Sequence, residues 1–226
     1  MKGKLIVIEG TDCSGKATQS KKIVERLNDE GIRAVYMSFP MYNTPTGEII
    51  AANILGKPDY GNCTFPEGAP NIPPKVAALY YAADRLYNIH KIEEMLEQGT
   101  TIVLDRYVES NMGHQGGKFT TEREKIEMLL WLEQLEFSLL ELPRPDKVIF
   151  LYLPYEYGKQ LREQRGEVLD GVESNAEYLI NAEKTYSLMA ERYNFDVVNC
   201  VKNDEVRTIP KINEDIYKIV NEFIVN

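Results

Sequence analysis

Cysteine is scarce in this chain. The three present, Cys13, Cys63 and Cys200, are odd in number and fit neither a zinc site nor a disulfide framework. That predicts reduced thiols and a cytoplasmic protein. Long apolar runs are also lacking. The run at residues 5–8 is ended by Glu9, too short for a signal-peptide core, and no other run approaches a membrane span. Positive charge is in deficit, with a net charge of −9. This argues against a protein that grips a nucleic-acid backbone, but leaves room for a small anion in a local positive pocket. Repeats and low-complexity tracts are absent. With 226 residues and 43% hydrophobic side chains, the chain suits one domain, 1–226, with a full core.

What is present alternates. Short β-branched runs at 4–8, 33–39, 101–105, 147–153 and 195–199 read as strands. They are apolar nearly throughout, which predicts burial on both faces and a parallel sheet. Helical patterns fill about 15–30, 73–98, 121–141, 154–164, 174–193 and 204–224. The fold class is therefore α/β: a parallel five-stranded sheet flanked by helices in three layers. Thr121–Glu124 and Ser174–Glu177 fit capping boxes. Pro74 and Pro154 suit first turns, and Pro143 and Pro145 close the long helix. Residues 56–73, rich in Gly and Pro, read as a loop insertion.

The strand at 4–8 runs into Gly10, Thr11, Asp12, Cys13, Ser14, Gly15, Lys16, Ala17 and Thr18, and a helix follows. This is a phosphate-binding loop in its proper setting. Glycines let backbone N–H groups turn inward around a polyphosphate, the helix N-terminus adds its dipole, and Lys16 reaches the outer phosphates. The loop alone does not separate kinases from GTPases or motor ATPases, but a polyphosphate with Mg²⁺ as its companion is expected. The usual hydroxyl after the lysine is replaced by Ala17, so Mg²⁺ is expected to rely on phosphate oxygens, water and Asp105. Cys13, at a helix N-terminus, is expected to be alkylation-sensitive.

Further motifs narrow the class. Residues 101–118, TIVLDRYVESNMGHQGGK, bring Asp105 and Arg106 to a strand's C-terminal end, where α/β sheets bind ligands. On the 73–98 pattern Tyr81 and Arg85 are four apart and share a face. Phe39-Pro40 ends the second strand and Thr44-Pro-Thr-Gly47 follows. Residues 162–173, REQRGEVLDGVE, carry Arg162 and Arg165 and suit a lid.

Together, GxDxxGKxT, FPxxxxPTG, YxAxR, DRYxxS and the arginine-bearing lid resemble thymidylate kinases over roughly residues 4–180. The resemblance implies a P-loop NTPase fold and transfer of the γ-phosphoryl group of Mg-ATP to dTMP. It implies that Asp12 accepts from the sugar 3′-hydroxyl, Tyr81 stacks on thymine and Arg85 bonds its carbonyl edge. Arg106 then holds the acceptor phosphate, Asp105 acts near Mg²⁺, and Ser110, Asn111, Gln115, Phe39 and Pro40 line the base and sugar pocket. Two positions depart. Tyr42 stands where the family often has a phosphate-binding arginine, and His114 stands where an aromatic ring crowds a ribose 2′-hydroxyl. With no arginine inside the P-loop, Arg165 is expected at the γ-phosphate, with Arg162 in support. The 121–141 helix is apolar around much of its girth (Met128, Leu129, Leu132, Leu135, Phe137, Leu139, Leu140), which together with the resemblance suggests a homodimer. Other readings remain at this stage: a kinase for dUMP, dGMP or a deoxynucleoside, or a nucleotide-binding regulator without turnover.

Overall fold

A computed structural model describes residues 2–57, 59–61, 64, 65, 67–165 and 175–225, apart from the side chains of Arg165 and Val225. Cys63, residues 166–173 of the expected lid, and Ser174 lie outside the described residues.

Five parallel strands form one sheet in the order β2-β3-β1-β4-β5. They are β1 (Leu5–Gly10), β2 (Ala34–Ser38), β3 (Thr101–Asp105), β4 (Lys147–Tyr152) and β5 (Asp196–Asn199). The central strands β1 and β3 are buried at every position. One apolar cluster, with Leu5, Val7, Ile102 and Leu104, fills one face of the sheet. A second, with Ile6, Ile8, Val103 and Ile149, fills the other. Alternate side chains of a strand point to opposite faces, so two-sided burial requires the continuous apolar runs seen in the sequence.

The helices are α1 (Lys16–Asp29), α2 (Pro45–Ile49), α3 (Pro74–Glu97), α4 (Val108–Gly116), α5 (Glu122–Glu133), α6 (Tyr155–Arg165), α7 (Ala176–Arg192) and α8 (Ile209–Val225). Thr121 caps α5 with the expected reciprocal bonds to Glu124. Pro74 opens α3. The cap of α7 sits at Asn175, whose Oδ1 accepts from Tyr178 N at 3.0 Å.

Four expectations need correction. The long 121–141 pattern is α-helical only to Glu133 and continues as a π-helical turn, Gln134–Leu139. Helix α4 arises from a stretch whose three glycines obscure it in sequence. Gly113 and Gly116 permit close packing, since a Cβ at Gly113 would lie 2.6 Å from the Tyr186 ring and one at Gly116 2.8 Å from Thr185. The C-terminal helix begins at Ile209, because Val201–Lys202 and Glu205–Val206 pair as an antiparallel hairpin. Its turn residues Asn203 and Asp204 have φ of 53° and 59°, which suits those side chains. Arg162 and the backbone of Arg165 lie within α6 rather than in a lid loop, since that helix runs to Arg165.

Candidate active site

Register sets the site. Ile8 of β1 lies level with Asp105 of β3, and the next residue, Arg106, donates its N–H to Ile8 O at 3.3 Å. The P-loop leaving β1 and the chain leaving β3 therefore emerge side by side at the carboxyl ends of the strands. Arg106 has φ of 68°, a left-handed turn that takes the chain sharply out of the strand.

On the donor side, Cys13 and Gly15 also have positive φ, 63° and 83°. Successive turns of this kind aim backbone N–H groups inward, the geometry of an anion nest. Thr11 staples the loop to the end of β4: its Oγ1 donates to Leu153 O at 2.6 Å, and Leu153 N donates back at 3.1 Å. Gly10 is required here, because a Cβ would lie 2.4 Å from Ser14 Oγ and 2.8 Å from Leu151 O. Lys16 is buried and donates to Gly10 O and Thr11 O, each at 3.0 Å. Burial, then Arg106, lowers its pKa, while Asp12, Asp105 and Glu9 favour its charge. Ala17 and Thr18 are exposed on α1.

A cavity of about 270 Å³ opens beside the loop. Asp12, Phe39, Pro40, Tyr81, Arg85, Arg106, Ser110, Asn111 and Gln115 all line it, so every residue expected on the acceptor's surface meets in one space. His114 and Tyr42 line it too. The Phe39–Pro40 peptide is cis. The loop after it is held by Asp84, which accepts from Met41 N at 2.9 Å, Thr46 Oγ1 at 2.7 Å and Asn88 Nδ2 at 3.0 Å. Gly47 fits only without a side chain, for its Cβ would lie 1.9 Å from Met41 O.

Arg106 Nη2 donates to Asp12 Oδ1 at 3.2 Å, and Nη1 donates to Ser110 Oγ at 3.3 Å. Burial opposes the Arg106 charge, but Asp12, Asp105 and Glu9 outweigh it and raise the pKa. Burial likewise pushes the Asp12 carboxyl up, yet Arg106 and Lys16 prevail and bring it down to about 2. His114 stacks on Tyr178 with ring centroids 5.8 Å apart, and burial followed by Arg106 lowers its pKa to about 4. It is therefore neutral near pH 7.

Arg85 is only 2% exposed and its guanidinium forks onto Glu136, which is fully buried. Glu136 also accepts from Asn111 Nδ2 at 2.9 Å. The remaining amino group of Arg85 donates to Tyr107 O at 3.4 Å. Asp105 is 8% exposed; its Oδ2 accepts from Tyr36 OH at 3.3 Å, while among the described residues Oδ1 has no partner. Arg162, also buried, lies over the Tyr155 ring at 5.7 Å and lines a small cavity shared with Gly10, Thr11 and Asp12. The Arg165 side chain lies outside the described residues.

Sequence reasoning missed several supports. Glu9 is wholly buried and accepts from Tyr107 N at 3.0 Å, Ser110 Oγ at 2.8 Å and Tyr186 OH at 3.2 Å. Burial raises its pKa against the pull of Arg106. It fixes the turn that aims Arg106. The available signal was a carboxylate ending an otherwise apolar strand. Glu136 gave no comparable signal, since it looks like one more acid on a helix. Lys118, two residues beyond α4, donates to Ala69 O and Ile72 O of the 56–73 loop at 3.2 and 2.7 Å.

A model of the family described as thymidylate kinase matches residues 8–208. The thymidylate kinase of Homo sapiens is 36% identical over 152 residues, covering 67% of this chain and 62% of that protein. That of Plasmodium falciparum is 28% identical over 225 residues, covering 99% of this chain and 92% of its own. A solved structure of thymidylate kinase from Candida albicans superposes with a TM-score of 0.74 at 23% identity, covering 98% of this chain and 92% of that one, which establishes the shared fold. With both the sequence match and the architecture in agreement, the chain belongs to the thymidylate kinase family, enzymes that phosphorylate dTMP with ATP as the donor.

Proposed function

We propose that this chain transfers the γ-phosphoryl group of Mg-ATP to dTMP, giving dTDP and ADP, with Lys16 on the donor side and Arg106 on the acceptor side. The observation that carries the reading is the Arg106–Asp12 contact, which joins the acceptor cavity to the P-loop. The acceptor is a phosphate monoester with a second pKa of about 6, so it is largely dianionic at neutral pH and needs no strong base. The chemical obstacle is the repulsion of two anions and the charge spread over the transferred group. Lys16, Arg106 and, from the end of α6, Arg165 with Arg162 meet it by fixed positive charge.

Tyr81 is assigned to the face of thymine and Arg85, oriented by Glu136, to its carbonyl edge. Asp12 is assigned to the sugar 3′-hydroxyl; Ser110, Asn111, Gln115, Phe39 and Pro40 complete the pocket. His114, neutral and stacked on Tyr178, occupies the sugar's flank as an uncharged ring. The donor set suits Mg²⁺ in one respect, the buried unpaired oxygen of Asp105. That residue would hold the ion, through water, alongside phosphate oxygens; Ala17 offers none. When bound, Mg²⁺ neutralises charge between the outer phosphates.

We also assign a homodimer. Val76, Leu79, Tyr80, Leu86 and Tyr87 recur at helical spacing on the outer face of α3, all exposed. Of the apolar residues expected to spread around the 121–141 helix, Met128, Leu129 and Leu132 are buried, while Leu139 stands 67% exposed. Light scattering with Leu79→Glu tests this: a dimer in the parent and a monomer in the variant are expected. A cytoplasmic setting is consistent with the scarcity of cysteine in the chain.

The direct assay is ADP release with Mg-ATP across a panel of nucleosides and monophosphates. Turnover highest with dTMP supports the reading. ATP binding with no product from any acceptor overturns it.

A further inference from the structure

We propose that Lys57 is a second cationic ligand for the acceptor's phosphate, held over the cavity by the ring of Tyr42; this rests on the acceptor assignment above. Five ionised side chains line the cavity: Asp12, Lys57, Asp84, Arg85 and Arg106. Arg106 is paired with Asp12, and Arg85 with Glu136 just behind the wall. The carboxylate of Asp84 is taken up by three donors that hold the loop after Pro40. Lys57 is the lining cation for which no carboxylate lies within ion-pair distance among the described residues.

A dianionic ligand needs net positive charge, and the Asp12 carboxylate offsets part of what Arg106 brings, leaving room for a second cation. Lys57 supplies the uncompensated charge. Its Nζ lies over the Tyr42 ring, 5.1 Å from the centroid. A cation over a ring face keeps its N–H donors available for a second partner.

The backbone presents Lys57 firmly. It follows the π-helical turn Ile50–Ile54, whose neighbour Leu55 also lines the cavity. Gly56 has φ of 62°, and Lys57 N then donates to Ala51 O at 2.9 Å. Tyr60 N donates to Lys57 O at 2.9 Å, and the Tyr60 ring lies 6.0 Å from that of Tyr42. The glycine, the turn and the two rings together fix where the ammonium enters the pocket. The 56–73 insertion thus contributes to substrate choice, favouring a monophosphate over its parent nucleoside.

The test is calorimetric titration of parent, Lys57→Met and Lys57→Arg with dTMP and, separately, thymidine, alongside steady-state KM for both substrates. Lys57→Met keeps the apolar stem and is expected to weaken dTMP binding roughly tenfold or more, as befits loss of a charge-assisted hydrogen bond. Thymidine affinity and the KM for ATP are expected to stay within about twofold. Lys57→Arg is expected to restore most of the dTMP affinity. Equal weakening of dTMP and thymidine would reveal a merely structural lysine, and unchanged dTMP affinity in Lys57→Met would remove Lys57 from the site. Either result overturns the assignment while leaving dTMP kinase activity in the parent intact. A parent that binds no dTMP removes the acceptor reading itself, and this assignment with it.

Discussion

The Arg106 guanidinium donates to the Asp12 carboxylate at 3.2 Å, so a residue ending the third strand grips the loop that follows the first. This single pairing couples the two halves of the crevice. It requires the left-handed turn at Arg106 and the buried Glu9 that steadies the chain behind it.

Replacing Arg106 removes both the proposed phosphate contact and the observed partner of Asp12. Arg106→Ala is expected to lower kcat/KM for dTMP by about 10³-fold, with thymidine binding and the KM for ATP much less affected. Steady-state kinetics with both substrates varied checks this. A loss confined to the KM for ATP would place Arg106 on the other substrate.

Glu136→Ala leaves the Arg85 guanidinium buried without a counterion. Breaking such a pair costs about 3–5 kcal/mol, so a large drop in denaturation midpoint is expected. Glu136→Gln keeps the shape and one acceptor. It is expected to fold and to show a raised KM for dTMP, because Arg85 loses its fork. A Gln variant with parental KM would separate Glu136 from substrate recognition.

The Arg85–Glu136 pair also marks how far the sequence could be read. Arg85 was legible, because a tyrosine and an arginine four apart on a helix share a face. Glu136 was not. The helical repeat that places acids outward holds for α5 but fails in the π-helical turn after Glu133, which brings Glu136 inside. The five strands and most helices were legible from apolar runs and their spacing. Helix α4 was hidden, since Gly113 and Gly116 are poor helix formers. It exists through close packing on Tyr186 and Thr185, a tertiary fact with no local signature. The Asn203-Asp204 turn was legible in principle, because both residue types tolerate positive φ, yet the helical pattern after it masked the hairpin.

Arg165→Ala is expected to lower kcat at least ~10²-fold with little change in dTMP affinity, as for an arginine that acts on the transferring group. Single-turnover kinetics checks it. Unchanged turnover would exclude Arg165 from the chemistry and leave the task to Arg162.

Two groups give stability a pH signature of one sign. Asp12 is held at about 2, below its ordinary 3.8, so its contribution is full above ~4 and is lost as pH falls toward 2. His114 is depressed from 6.5 to about 4; the unfolded chain takes up a proton the folded one refuses, and stability falls between those values. The thermal midpoint of the parent relative to His114→Phe is expected to fall as pH drops from 6.5 to 4, because the carboxyls of Glu9 and Glu109, which burial raises and which act with the opposite sign, are common to both proteins. The kcat/KM profile for dTMP is expected to break near pH 6 in parent and variant alike, because that ionisation belongs to the substrate. A break that vanishes in His114→Phe would show the imidazole titrating instead.

The proposed chemistry requires the acceptor's phosphate to lie between Arg106 and the Lys16 loop. A crystal structure with dTMP bound tests it most directly. The phosphate is expected within hydrogen-bond distance of the Arg106 guanidinium and facing the P-loop, with thymine against Tyr81. A nucleotide seated elsewhere, or one whose phosphate points away from the Lys16 loop, would contradict the account.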